Sequence, residues 1–197
     1  RTTNPVAVGD CVFVDFAEGG ADTYYITKVA QRRNYIIRRA SNLSKESHII
    51  AANIDIAVLV ATVSHPTTST TFIDRFLATA EAYGVTAALV FNKIDLLDED
   101  WLEYLDAISY LYRSIGYKVL HCSAVHGDGL DVLREYLQGK TALFAGNSGV
   151  GKTTLLNVLV PGIDAKTAAL SDAHDTGMHT TTFSEMYDLP GGGAIID

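Results

Sequence analysis

Gly146-Asn147-Ser148-Gly149-Val150-Gly151-Lys152-Thr153 is the stretch that decides the fold. It reads G-x-x-x-x-G-K-[ST], the pattern of a phosphate-binding P-loop. The apolar run Thr141-Ala142-Leu143-Phe144-Ala145 leads into it and fits a buried parallel strand. Behind it, Thr153-Thr154-Leu155-Leu156-Asn157-Val158-Leu159 carries leucines at helical spacing. A loop between strand and helix is the context the pattern needs. Without Cβ atoms the glycines let the backbone close around a phosphate. Successive N–H groups then form an anion nest at a helix N-terminus. Lys152 is expected at the β- and γ-phosphates, Thr153 on Mg²⁺, and Thr154 within the same nucleotide-binding turn. A glycine-rich turn that merely ends a strand is the plainer alternative.

The base is read upstream. Asn92-Lys93-Ile94-Asp95 follows the apolar run Val85-Thr86-Ala87-Ala88-Leu89-Val90-Phe91, so N-K-x-D sits at the carboxyl end of a strand, where α/β folds bind ligands. The Asp95 carboxylate can accept from both N1–H and the exocyclic amino group of guanine. Adenine offers no such pair and leaves it unsatisfied. The Lys93 stem can lie along the base plane, and Asn92 can tie the loop to the P-loop. After the strand ending at His121 comes Cys122-Ser123-Ala124, where an S-A turn can offer a backbone N–H to guanine O6. Each motif is weak alone. Three of them, each after an expected strand of one sheet, point together to GTP or GDP. In an ordinary small GTPase the P-loop precedes N-K-x-D. Here Asn92 precedes Gly146, an order that a circular permutation of the same sheet produces.

The bulk composition fits two modules. The 197 residues are 48% apolar, with no run long enough to span a membrane and no visible signal peptide, so no membrane partner is expected. Cys11 and Cys122 are too few for a disulfide framework, and a cytoplasmic location fits. Net charge is −8 but uneven: residues 1–45 carry +3 and the remainder −11. The first segment has short β-like runs, Cys11 to Phe16, Tyr24 to Val29 and Tyr35 to Arg38, separated by turn signals. A small all-β barrel of the oligonucleotide-binding (OB-fold) kind is expected over 1–44, then a polar linker over 45–52. Lys28, Arg32, Arg33, Arg38 and Arg39 interleave with Tyr24, Tyr25 and Tyr35. They read either as an RNA-binding face or as a solvated face with core tyrosines. From residue 53 to 197, apolar runs alternate with amphipathic helices, which means a parallel α/β sheet with right-handed crossovers.

The motif order, together with Ala51-Ala52-Asn53-Ile54-Asp55, Ile73-Asp74-Arg75-Phe76-Leu77 and Gly177-Met178-His179-Thr180-Thr181-Thr182, resembles the ribosome small-subunit-dependent GTPase A family (RsgA, also called YjeQ). The likeness covers nearly the whole chain. It implies an OB-fold barrel, a circularly permuted P-loop GTPase with a parallel sheet flanked by helices, and a zinc-binding domain beyond it. It also implies a GTPase stimulated by the small ribosomal subunit, acting late in that subunit's maturation and contacting its rRNA. The family's phosphate-switch motif is D-x-P-G. Asp197, after Ala194-Ile195-Ile196, stands at its first position and is the last residue of this sequence. The sequence is therefore expected to be a fragment, with zinc confined to the domain outside it.

On that likeness Thr153 holds Mg²⁺ directly and Asp197 through a water. One threonine of 180–182, with Thr181 preferred, closes on Mg²⁺ and the γ-phosphate. Residues 172–178 have the Gly and Asp content of a switch loop. His179 is the candidate for orienting water. The expected catalytic set is thus Lys152, Thr181 and His179, in a monomer. A different class of function stays open: an rRNA-binding module that keeps its guanine nucleotide as a structural ligand.

Overall fold

A computed structural model describes residues 5–16, 23–39, 47–163 and 184–197. Its first elements are two antiparallel ribbons. Strands β1 (Val12–Phe16) and β2 (Tyr24–Val29) pair with a register shift at Phe13/Val14. Strands β3 (Tyr35–Arg39) and β4 (Ser47–Ala52) pair with a shift at Ile36/Ile37. Irregularities of this kind bend and twist a strand, as the wall of a small barrel requires. The ribbons fit the OB-like module expected at this end of the chain.

The linker expected over 45–52 is corrected by β4. Ile49, Ala51 and Ala52 in it are buried, with Ile37 opposite Ile49 and Ile36 opposite Ala51. The polar residues ahead of this stretch mask it in a local reading. Its conformation is decided by a partner strand, and partner strands are not visible in a short window.

The main sheet is built from β5 (Ile56–Ala61), β6 (Thr86–Phe91), β7 (Lys118–His121), β8 (Thr141–Ala145), β9 (Met186–Asp188) and β10 (Ala194–Ile196). Their order is β7-β6-β5-β8-β10-β9, parallel except for the antiparallel edge strand β9. All six residues of β5 are buried, as a strand covered on both faces should be. Burying each Ile or Leu side chain in it contributes about 1.5–3 kcal/mol. Helices α1 (Thr70–Ala82) and α2 (Glu99–Ser114) cover one face through Ile73, Leu77, Leu105, Ile108 and Tyr112. Helices α3 (Leu130–Leu137) and α4 (Lys152–Leu159) cover the other through Leu130, Leu133, Leu137, Leu155 and Leu156. Local chemistry sets the helix starts. Ser69 accepts from the Phe72 N–H, and Asp98 accepts from the Trp101 N–H. Glu99 and Asp100 in the first turn of α2, and Arg113 in its last, complement the helix dipole.

The connections place the site. From β5 the chain moves outward to β6 and β7, then returns to the other side of β5 as β8. The switch point therefore lies between β5 and β8, and ligands of open α/β sheets bind outside the carboxyl ends of such strands. A polar brace also links the N-terminal ribbons to this sheet. The Asn34 side chain makes bonds of 2.8 and 2.7 Å to the Ile54 N–H and carbonyl. Asp55 accepts from the Arg33 guanidinium at 2.7 Å and from the Thr141 N–H, at the start of β8, at 2.8 Å.

Candidate nucleotide site

The P-loop leaves β8 at the switch point and enters α4. At Gly146 a Cβ would stand 2.3 Å from the Val60 carbonyl oxygen, so only glycine lets the loop pass β5 this closely. At Gly151, φ is +89° and a Cβ would stand 2.5 Å from Asn92 Nδ2. Val150 between them is buried among the α3 and α4 leucines and anchors the loop. Gly151 caps α4 without a side-chain hydrogen bond, which leaves the first-turn N–H groups for an anion at the positive end of the dipole. Thr153 and Thr154 stand half-buried in that turn. The Lys152 ammonium lies along the loop, donating to the carbonyls of Gly146 at 2.8 Å and Asn147 at 3.1 Å. Burial lowers its pKa, and the charge of Asp197 opposes that shift.

Asp197 follows β10, the parallel neighbour of β8, so its position beside Lys152 comes from strand pairing. Its backbone pairs with Glu185 in both directions. Although Asp197 keeps exposed surface, the surrounding protein desolvates its carboxyl and raises its pKa, while Lys152 pulls it down. Thr153 and Asp197 supply a hydroxyl and a carboxylate, hard oxygen donors suited to Mg²⁺ that is otherwise held by phosphates. Among the described residues no cluster of three His, Cys, Asp or Glu is placed to hold a metal ion by itself.

The base loop leaves β6 on the other side of β5. Asn92 is 3% exposed and its side chain bonds the neighbouring loops. Its Nδ2 donates to the Val150 carbonyl at 3.0 Å; its Oδ1 accepts from the Ala124 N–H at 3.1 Å and from the Cys122 thiol at 3.5 Å. Lys93 adopts φ +64°, which turns the chain sharply at the strand end, and its Nζ donates to the His65 carbonyl at 2.8 Å. Asp95 lies half-buried in the short helical turn Ile94–Leu96. It is near enough to Cys122 to add to the effect of burial, which pushes that thiol's pKa up to about 12.

In the S-A loop the Ala124 N–H donates to Asn92 Oδ1. The buried Ser123 hydroxyl accepts from the His126 N–H at 3.0 Å, and the Ser123 N–H donates to the Asp128 carbonyl at 2.9 Å. Buried polar groups must be paired, and here they are paired within the protein. Ala124 thus braces Asn92, while Ser123 fixes the turn that carries it. Thr181 and His179, with the whole 172–182 switch stretch, lie outside the described residues.

The basic residues of the N-terminal segment divide. Arg32 is not free for RNA: it grips Asp10 through bonds of 2.6 and 2.7 Å, with the Asp10 side chain 1% exposed. That guanidinium holds the Asp10 carboxyl below the usual range. Arg33 bonds Asp55 and the Asn53 carbonyl, so it serves the brace to the sheet. Both bind carboxylates too far away in sequence for a local reading to find. Lys28 lies 5.8 Å from the Phe13 ring centre. Arg38 and Arg39 stand in β3 opposite His48 and Ser47, and their side chains lie outside the described residues. The tyrosines are surface groups: Tyr24 is 54%, Tyr25 51% and Tyr35 42% exposed.

A P-loop at the switch point, with N-K-x-D on a strand beyond β5 yet earlier in the chain, defines a circularly permuted GTPase fold. Residues 29–197 match the family model described as RsgA GTPase, and the chain belongs to that family. It is 58% identical, over its full length, to the Small ribosomal subunit biogenesis GTPase RsgA of Bacteroides fragilis, and covers 63% of that protein. The protein of the same name from Porphyromonas gingivalis is 56% identical over 200 residues, all of this chain and 64% of the relative. The chain therefore spans somewhat less than two thirds of these relatives. Among solved structures, YjeQ from Thermotoga maritima superposes with a TM-score of 0.73 at 35% identity, covering 98% of this chain and 60% of that one. YloQ, a circularly permuted GTPase, gives 0.68 at 30% identity, with coverages of 99% and 57%.

Proposed function

We propose that the crevice binds guanine nucleotide, and that the full-length protein hydrolyses GTP to GDP and phosphate as a cytoplasmic assembly factor of the small ribosomal subunit. Asn92 carries this assignment. One side chain joins the base loop, the S-A loop and the phosphate loop, so the Asp95 carboxylate and the α4 N-terminus address one ligand. The relatives' names supply the ribosomal context. Hydrolysis transfers the γ-phosphoryl group to water: the bridging P–O bond breaks, its electrons pass to the β-phosphate, and the attacking water releases a proton. The chain's contribution is positioning and charge. The α4 N–H groups hold the β- and γ-phosphates, and Lys152 neutralises charge that develops on them. Thr153 and Asp197 would hold Mg²⁺, which when bound neutralises the β- and γ-oxygens. Thr181 and His179 are proposed as the closing threonine and the water-orienting residue. For rRNA, the exposed aromatic ribbon of Phe13, Phe16, Tyr24 and Tyr25 with Lys28 offers stacking faces and a cation.

Competitive titration with a fluorescent GDP analogue tests the binding. GDP and GTP are expected to displace it, and ATP is expected not to do so at a hundredfold excess. Phosphate release from GTP by the full-length protein, with and without isolated small subunits, tests the turnover. Displacement by ATP as readily as by GTP overturns the base assignment, and absence of any GTP turnover in both arms overturns the enzymatic one.

A further inference from the structure

One more loop reaches the crevice. Strand β5 is the middle strand, flanked by base-loop strand β6 and phosphate-loop strand β8. Its carboxyl end runs into residues 62–69, which connect it to α1 and belong to neither binding motif. This loop nevertheless bonds the base loop and lies beside the P-loop. The Lys93 ammonium of the base loop donates to the His65 carbonyl at 2.8 Å. On the other side, a Cβ on Gly149 of the P-loop would stand 3.5 Å from Pro66 Cδ, an ordinary packing distance. The loop is internally fixed. The Thr62 N–H donates to Thr68 Oγ1 at 3.1 Å, the Thr68 N–H donates back to the Thr62 carbonyl at 2.8 Å, and the Thr62 hydroxyl donates to the Pro66 carbonyl. Thr62, Ser64 and Thr68 are buried, and the Ser64 hydroxyl is paired with His65 Nδ1 at 2.6 Å.

We infer that residues 62–69 form a positioning wall of the nucleotide site, holding Lys93 through the His65 carbonyl and standing beside the P-loop at Pro66. The inference rests on the guanine-nucleotide assignment and adds a third support to it. A lysine stem is flexible, and fixing it on ligand binding costs affinity. Here the carbonyl of an internally bonded loop holds the ammonium end, so part of that ordering is in place before a ligand binds. Thr62 acts through this geometry: its hydroxyl fixes the Pro66 carbonyl, one peptide beyond the carbonyl that holds Lys93.

The test is a double-mutant cycle read by GDP affinity. Thr62→Val keeps the side chain's shape and removes only the hydroxyl. Loss of that hydrogen bond is expected to weaken GDP binding about fivefold. Thr62→Ser, which restores the hydroxyl, is expected to recover wild-type affinity. Lys93→Ala alone is also expected to weaken binding. In the Lys93→Ala background, Thr62→Val is expected to change affinity less than about twofold, because its effect passes through Lys93. Equal losses from Thr62→Val in both backgrounds overturn the inference, as does wild-type affinity in Thr62→Val itself. If Thr62→Val does not fold, Thr62→Ala, which also removes the hydroxyl, runs the same cycle with the same two readings. Failure of the wild-type chain to bind GDP is a separate outcome and overturns the nucleotide assignment beneath it.

Discussion

Asn92 Nδ2 donates to the Val150 carbonyl over 3.0 Å, joining two loops that are 58 residues apart in the chain. The bond fixes the distance between the base-reading and phosphate-binding ends of the crevice. Truncation to alanine leaves the Val150 carbonyl and the Ala124 N–H without this partner in a buried place. Each orphaned group costs about 1–3 kcal/mol. Asn92→Ala is therefore expected to lower the melting temperature by roughly 5–10 °C for a chain of this size. It is also expected to weaken GDP and inorganic triphosphate binding together, since both ends of the site lose registration. Calorimetry alongside ligand titration checks this; loss of GDP binding with full retention of triphosphate binding would place Asn92 at the base alone.

Asp95 is where the choice of base is tested. Its carboxylate accepts from the paired donors of guanine, and an amide in its place can donate to the extra carbonyl of xanthine. Asp95→Asn is expected to reduce GTP affinity by roughly a hundredfold or more while raising that for xanthosine triphosphate. Competition between the two triphosphates for a fluorescent analogue measures the switch directly. Unchanged GTP preference would remove Asp95 from the base contact.

How much of this was legible in the sequence differs element by element. The P-loop and N-K-x-D are legible because their chemistry is local: each needs residues adjacent in the chain, between one strand and one helix. The parallel sheet is legible for a similar reason, since β5 and β6 are continuous apolar runs. Strand β4 is not, because pairing with β3 makes it a strand. Arg32 reads as a free cation until Asp10, 22 residues upstream, is found under it. The Ala124 N–H is spent on Asn92, 32 positions earlier in the chain. The loop at 62–69 carries no motif, and its importance comes only from β5 standing at the centre of the strand order. What escapes local reading is in each case a partner supplied by topology.

Stability is expected to depend on pH through His121. Its Nε2 is paired with the buried Ser109 hydroxyl at 2.7 Å, between β7 and α2. Burial lowers its pKa below the usual 6.5; the Arg113 charge adds to that, and Asp106 opposes it. In the unfolded chain the imidazole takes up its proton near 6.5, whereas the folded one resists. The unfolded state therefore binds more protons across that window, and stability falls as pH drops through it. Melting temperatures between pH 7.5 and 5 are expected to decline, and His121→Gln, which cannot titrate, is expected to show a shallower slope. An identical slope in the variant would assign the acid sensitivity to other groups.

The Arg32–Asp10 pair separates the structural cations of the N-terminal segment from those able to meet RNA. Removing the guanidinium takes two charge-assisted hydrogen bonds from the Asp10 carboxylate, a loss of about 1.5–3 kcal/mol. Arg32→Ala is expected to destabilise the β1–β4 ribbons. Asp10→Asn with Arg32→Met, which removes both charges, is expected to restore much of the stability. Lys28→Glu lies on the exposed aromatic ribbon and is expected to leave melting unchanged while reducing the affinity for a single-stranded RNA oligomer. The same variant should flatten the salt dependence of that affinity, since one fewer cation releases counterions. Circular dichroism melts and RNA titrations at two ionic strengths distinguish the two roles. A stable Arg32→Ala protein with impaired RNA binding would return Arg32 to the RNA-contacting set.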